Sequence, residues 1–549
     1  MLGPPKARRV DRPVTATLDD LVPPDHFYRH LERTLDLRFV RDLVRDRYAA
    51  GGRPSLDPVV YFKLQLVLFF EGLRSEQKLV ETASLHLAHR WYLGYALDER
   101  LPDPSTLSRI RARLGVEVFR RFFERVVELC QEAGLVWGRE LFFDATKVRA
   151  NADVDSVVPR LGRVVGDHIE ALFPTGTAAP EAPLAPDVLS SGPVPGPGAA
   201  AADELRPLPA APAPDAPPAR GWDLLEACRL DPQRPAVSAS GYARLSARLV
   251  SRTDPDAALM NTAGGGRAKL GYQAHYMVDG GKARVILHAL VAPADVMEGQ
   301  PMLDFLWRVR FRWKVRPQRA VGDSKYGTVA NIRALEDAGI RAYVALPDTE
   351  HRKSPYYPLA AFRYDADQDT FWCPQGHPLR RERTNPEREF FGYRGDPAVC
   401  NACPVRAACT PGSYGRQVHR SFHADYVDRV RAYHATAAYK QAMRKRGVWV
   451  EPLFGEAKQW HGLRQFRLRG LAKVNTEGLL VAAGQNLKRW LVATGWGRRH
   501  APCDALTVPR AARRPTCRRR TAQPCRCSWP IPRPGTGPPH RPARHFARG

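Results

Sequence analysis

Phe119, Phe122, Phe123, Val126 and Val127 recur at offsets of 0, 3, 4, 7 and 8, the spacing of one buried helix face. The same kind of pattern runs from Leu18 to Cys130 and predicts an all-helical segment. Pro102-Asp103-Pro104-Ser105 breaks it and supplies an N-cap for a helix over Thr106 to Leu114. There Leu107, Ile110 and Leu114 share a face, while Arg109, Arg111 and Arg113 lie off it. Beyond Arg139 the periodicity changes to that of strands. Runs at Arg139 to Val148, Gly271 to Val278 and Ala283 to Ala292 read as β, the last two forming a hairpin around Asp279-Gly280-Gly281. Met302, Phe305, Leu306 and Val309 then mark a helix. A strand ending at Asp323, a helix from Thr328 closed by Gly339 and a strand from Arg341 to Leu346 follow. The order β-β-β-α-β-α-β predicts a mixed α/β sheet.

That order matches an RNase H-like core, here preceded by an all-α domain. The expected organisation is a flexible leader over 1–17, a helical DNA-binding domain over 18–135 and a catalytic core over 139–497. The core is interrupted by a Pro/Ala-rich loop at 173–220, expected to be disordered, and a cysteine-rich insertion at 355–415. An Arg/Pro-rich tail over 498–549 ends the chain, with Arg513, Arg514, Arg518, Arg519 and Arg520 against Asp504 as its only acid. The 549 residues are 44% hydrophobic, which is globular, and carry a formal charge of +27. So basic a chain faces a polyanion, and nucleic acid is the commonest. Much of that charge sits in the tail. No apolar run reaches about 18 residues, since Lys63 cuts the stretch from Val59 to Phe70. The N-terminus has no signal-peptide pattern, and a cytoplasmic, nucleoid-associated protein without a membrane partner is expected. Short helices joined by turns, one with Arg109 and Arg113 exposed, suit a helix-turn-helix-like DNA-binding unit.

Three acids in separate contexts carry the chemistry: Asp144 in RELFFDATKVRAN, Asp323 in RAVGDSKYG and Glu451 in VWVEPLFGEAK. One aspartate after a strand is most often a turn or helix cap. Carboxylates that converge at strand ends repel one another, and ionised clusters of them normally hold divalent cations. Two such cations about 3.5–4 Å apart clamp the attacking and leaving oxygens of a phosphodiester. Glu451 and Lys458, seven residues apart on a helix, share a face, so Lys458 is placed to meet a DNA phosphate. Arg464, Arg467, Arg469 and Lys473 continue the basic run, interleaved with Trp460 and Phe466. Glu456 falls on another face.

Cys373-Pro-Gln-Gly-His377, Cys400-Asn-Ala-Cys403 and Cys409 have metal-ligand spacing. Cys373, Cys400, Cys403 and Cys409 supply four thiolates for one structural, tetrahedral Zn²⁺, and His377 is able to replace one of them. Cys130 and Cys228 read as buried apolar residues.

FFDATKVRANAD, AVGDSKYGT and VEPLFGEAK, in that order, resemble the catalytic motifs of bacterial insertion-sequence DDE transposases. The E-x6-K spacing of Glu451 and Lys458 is similar to the end of that family's signature. Tyr439 and Arg444 stand at other distances and take no role from it. The stretch from Ser75 to Leu114, the run Thr253 to Ala257, the GYQAH strand and the cysteine insertion are similar to one branch of the family. The resemblance covers about residues 18–160 and 245–495. It implies that Asp144, Asp323 and Glu451 hold two Mg²⁺ (or Mn²⁺) ions for DNA cleavage and strand transfer, with Lys458 on DNA. It also implies double-stranded DNA partners, terminal inverted repeats and target, and a homodimer on DNA. A nuclease of the same core without strand transfer, and a non-catalytic zinc-containing DNA-binding protein, are the alternatives.

Overall fold

A computed structural model of the chain describes residues 15–48, 51, 55–159, 249–260, 268–346 and 355–497, with residues 6 and 13. The expected loop at 173–220, the tail at 498–549, Cys228 and most of the leader lie outside the described residues. The first part is helical: α1 (Leu18–Leu21), α2 (Phe27–Thr34), α3 (Phe39–Val44), α4 (Pro58–Phe70), α5 (Glu76–Leu85), α6 (Leu87–Leu93) and α7 (Pro104–Glu132). Asp103 caps α7, accepting from the Ser105 N–H at 2.8 Å, and Pro104 occupies the first turn, where its missing N–H costs nothing. α7 breaks at Gly115, whose φ of +66° an L side chain rarely adopts. Past this break the stripe Val118 to Val127 is buried. α4 is apolar nearly all round and accordingly lies within the core.

The sheet follows: β1 (Glu140–Arg149), β2 (Val157–Pro159), β3 (Leu249–Ser251), β4 (Ala258–Met260), β5 (Lys269–Asp279), β6 (Ile286–Pro293), α8 (Met302–Trp313), β7 (Arg319–Gly322), α9 (Val329–Asp337) and β8 (Arg341–Val344). The main sheet runs β6-β5-β1-β7-β8, with β4 also on β5 and β2 paired to β3 separately. β5 is antiparallel to both β1 and β6, whereas β1, β7 and β8 are mutually parallel. β5 and β6 are buried along nearly their whole length, the polar Gln273 and His275 of β5 included.

A second, five-stranded antiparallel sheet comprises β9 (Arg363–Asp365), β10 (Thr370–Trp372), β11 (Pro378–Asn385), β12 (Phe390–Gly395) and β13 (Gln417–Ser421), with α10 (Pro397–Ala402) and α11 (Arg406–Cys409) between its last strands. It has its own small core of Phe362, Phe371, Leu379, Tyr393 and Val418. The chain then returns through α12 (Ala424–His434), α13 (Ala437–Trp449), α14 (Glu451–Trp460) and α15 (Leu471–Ala493).

α15 closes the edge of β6. Asn475 accepts from the Val291 N–H and donates to the Val291 carbonyl, both at 2.8 Å. Asn486 does the same at Ile286, at 2.9 and 2.8 Å. The spacing makes this possible: from 475 to 486 a helix rises about 16.5 Å, and five strand residues span about the same. Two side-chain amides thus take the place of a neighbouring strand and satisfy buried backbone groups. Asp254 and Asp256, from the TDPDA run, cap the start of α15 at the N–H groups of Gly470 and Leu471, at 3.0 and 2.7 Å. α7 and α4 pack on this same helix. A Cβ built on Gly484 would come within 2.5 Å of the Phe69 ring. The N-terminal helices therefore share one continuous core with the main sheet.

Candidate functional site

β1 and β7 pair in parallel with Phe142 opposite Val321. Carried on by two residues, that register sets Asp144 abreast of Asp323, about one strand spacing (~4.8 Å) apart in backbone terms. Asp144 is buried and Asp323 half-buried. Burial pushes the Asp144 carboxyl up to about 6, and the negative charges of Asp323 and Glu298 add to the rise; Arg446 and the Ala145 N–H oppose it. Asp323 also accepts from the Lys325 N–H at 2.9 Å, so it acts as a turn cap as well. Lys325 in turn pairs with the buried Glu298.

α13 and α14 lie along one face of β1, where Glu140, Phe142, Asp144 and Thr146 alternate outward. Lys445 Nζ is 2.5 Å from Glu140 and 5.4 Å from the centre of the Phe142 ring. Arg446 Nη1 is 3.5 Å from Asp144, and Lys458 Nζ donates to Thr146 Oγ1 at 2.5 Å. Burial and the charge of Arg464 hold the Lys458 ammonium below its usual range. Between these contacts Glu451 opens α14, its first turn shared with Pro452. Its carboxylate is exposed and forms no hydrogen bond or ion pair among the described residues. No group of three or more His, Cys, Asp or Glu stands close enough to hold a metal ion among those residues. Two of the three expected acids are thus adjacent, and the third is not joined to them.

Glu456 has a separate employment. It pairs with Lys488 at 2.5 Å and Arg489 at 3.4 Å and accepts from Gln485 at 3.1 Å, all on α15. Burial alone would raise its carboxyl, but His461, Lys488 and Arg489 outweigh that and hold it well below the usual range.

The expected DNA contacts divide. Arg109, Arg113, Arg464 and Arg469 are exposed. Arg467 is turned inward, 3.3 Å from Glu76 of α5, and Arg111 pairs with the same carboxylate. Phe466, expected to offer a stacking surface, is instead core, edge-on to Tyr272. The reason is a bridge: residues 464–466 run beside the end of β1, where Phe466 N donates to the Arg149 carbonyl at 2.9 Å. Trp460 remains exposed.

Cys373, Cys400, Cys403, Cys409 and His377 line one cavity of about 650 Å³ in the small sheet. All four thiols are free and half-buried. Burial raises the Cys409 thiol, and the charges of Cys400, Cys373 and Cys403 raise it further, so the four sulfurs lie within electrostatic reach of one another. Thiolates are the ligand type that Zn²⁺ takes, but among the described residues the sulfurs line the cavity walls and no three of them stand close enough to hold a metal ion.

Arg446 and Glu298 were missed by sequence reasoning. Arg446 lies in the basic run RKRG just before Glu451, a signal that singles out no member; Glu298 sits in a loop without periodicity.

Comparison with family models gives two matches, a transposase domain (DUF772) over residues 16–113 and a transposase DDE domain over residues 372–491. The second match contains Glu451, Lys458 and the four cysteines; Asp144 and Asp323 fall outside both. No curated protein and no solved structure matches the chain.

Proposed function

With a transposase domain and a transposase DDE domain on one chain, this is an insertion-sequence DDE transposase, and we propose that its main sheet is an RNase H-like core that cuts and rejoins DNA at Asp144, Asp323 and Glu451. The observation that carries the reading is the parallel β1–β7 register, which when continued two residues sets Asp144 abreast of Asp323 just past the end of β7, one carboxyl raised by burial and by the other's charge. The sheet order β6-β5-β1-β7-β8 supports the fold assignment.

Two neighbouring carboxylates of this kind are a donor set that divalent cations satisfy. Asp144 and Asp323 would hold two Mg²⁺ or Mn²⁺ ions, with Glu451 brought in from the start of α14. When bound, such ions supply a nucleophile at neutral pH and stabilise the charge on the oxygens being exchanged. The protein's own part is positional. β1 and β7 fix the two aspartates, Lys458 is braced on Thr146, and the exposed Arg464, Arg469, Arg109 and Arg113 meet phosphates of double-stranded DNA, the inverted repeats and the target. Cys373, Cys400, Cys403 and Cys409 hold a structural Zn²⁺ that stabilises the small sheet. The protein acts as a homodimer on DNA in the cytoplasm, at the nucleoid; among the described residues no helix is long and apolar enough to cross a membrane.

The test is Mg²⁺-dependent cleavage of DNA carrying the element's ends, followed by joining of the 3′-OH to target. Cleavage without joining selects the nuclease reading. DNA binding with no cleavage, unaffected by loss of the acids, selects the non-catalytic one.

A further inference from the structure

We propose that the groove between the α7–β1 loop, the β5–β6 hairpin and α13 binds unpaired nucleotides of a DNA strand, a site additional to the acid pair; the proposal rests on the DNA-processing reading above. The groove has a volume of about 950 Å³. Trp137 and Trp449 stand in its walls, and Lys282, Arg444 and Lys445 supply cations; none of the residues lining it is acidic. Trp137 is 47% exposed. Lys282 and Arg444 are exposed and form no ion pair or hydrogen bond among the described residues.

The groove is also built before any ligand arrives. The fully buried Asp279 carboxylate accepts from the N–H groups of Trp137 at 3.0 Å, Gly138 at 2.7 Å and Gly281 at 2.8 Å, which pins two walls together. Trp449 Nε1 donates to the Gly281 carbonyl at 3.0 Å and ties the third wall, α13, to the hairpin. Lys445 is spent on this framework. It pairs with Glu140 and lies 4.8 Å from the Trp449 ring centre and 5.5 Å from that of Trp137. Lys282 and Arg444 are therefore left for a ligand.

Indoles beside uncompensated cations match a nucleobase and its phosphates, because every base offers a π face and the backbone supplies the negative charge. A paired duplex hides those faces, so the strand must be unpaired. β1 leads from the groove at Glu140 to Asp144, about 13 Å along the strand, which places such nucleotides beside the bond to be cut.

The experiment uses the full chain and a short thymidine oligonucleotide carrying one 2-aminopurine, whose fluorescence is quenched on stacking against an indole. Trp137→Ala should weaken single-strand binding about tenfold and abolish the quenching, with Trp137→Phe restoring most of the affinity. Arg444→Gln should lower the log–log salt slope for the single strand by about 0.7. Both should leave duplex binding near wild type. Unchanged single-strand binding and quenching in Trp137→Ala and Arg444→Gln, with duplex binding retained, overturns the groove alone. So does a shift from dimer to monomer in these variants, which makes the groove a contact between chains. Failure of the wild type to bind any DNA overturns the DNA-processing reading as well.

Discussion

Arg446 reaches Asp144 across the face of β1, Nη1 to Oδ2 at 3.5 Å, while its own Nε is buried without a hydrogen-bond partner. An ion pair held by one long contact, with another N–H unsatisfied, is a weak counter-ion. Were a divalent cation held at Asp144, it would take over this counter-charge and leave the Arg446 guanidinium available to a phosphate.

Burial of Asp144, opposed by Arg446, sets a pH dependence. Asp144 titrates near 6, and its protonated form does not ligate a cation. Mg²⁺-dependent cleavage should therefore fall as pH drops through about 6 or somewhat below, since the cation itself favours ionisation. Arg446→Gln removes a charge that lowers this carboxyl, so the midpoint should move upward. A pH–rate profile with an unmoved midpoint in Arg446→Gln contradicts the assignment.

The same shift has a stability sign. The folded state favours the protonated carboxyl, so chelator-treated protein should lose stability as pH rises from about 4 to 6. Asp144→Asn removes that loss. At pH 7 it should raise stability by on the order of 2 kcal/mol and abolish cleavage. Denaturant melts at pH 4 and pH 7 check this: the gain should appear only at the higher pH.

Asp323→Asn and Glu451→Gln should each abolish cleavage with DNA binding largely retained. Glu456→Gln should keep substantial activity, because its carboxylate is already committed to Lys488 and Arg489. It should instead lower stability by about 1 kcal/mol, as expected when the half-buried Lys488 and Arg489 lose a shared partner. An inactive Glu456→Gln beside an active Glu451→Gln would transfer the third position to Glu456.

Purified protein should contain about one Zn²⁺ per chain. Cys400→Ser with Cys403→Ser should lose it and destabilise the small sheet, since structural metal binding is coupled to folding. Metal analysis with no zinc in the wild type refutes the site.

Removal of residues 498–549 should weaken non-specific duplex binding and flatten its salt dependence, each lost phosphate contact contributing about 0.9 to the slope. Cleavage should persist. Loss of cleavage in a folded truncated protein would show that the tail belongs to the catalytic unit.

The main sheet was legible in the chain because its determinants are local. The β5–β6 hairpin turns at the expected glycines, α9 starts at the Thr328 cap and ends before Gly339, whose φ is +72°, and the helical stripe of Phe119 to Val127 is buried as its spacing requires. Periodicity and caps act over a few residues, and these are readable from one sequence. Glu456 could also be separated from Glu451 by helical angle alone.

What the tertiary structure decided are meetings between faces that sequence distance does not encode. Arg467 and Phe466 sit in a run that reads as a basic, aromatic DNA surface. Yet residues 464–466 dock beside β1, which turns one side chain to Glu76 and the other into the core. Arg446 faces Asp144 only because α13 lies across β1, and Glu298 adds a third negative charge there from the loop between β6 and α8. The helical segment and the sheet read as separate domains; Gly484 lets α15 approach Phe69 closely enough to join them. Burial and charge pairing depend on which surfaces meet, and that is a property of the packed chain rather than of any stretch within it.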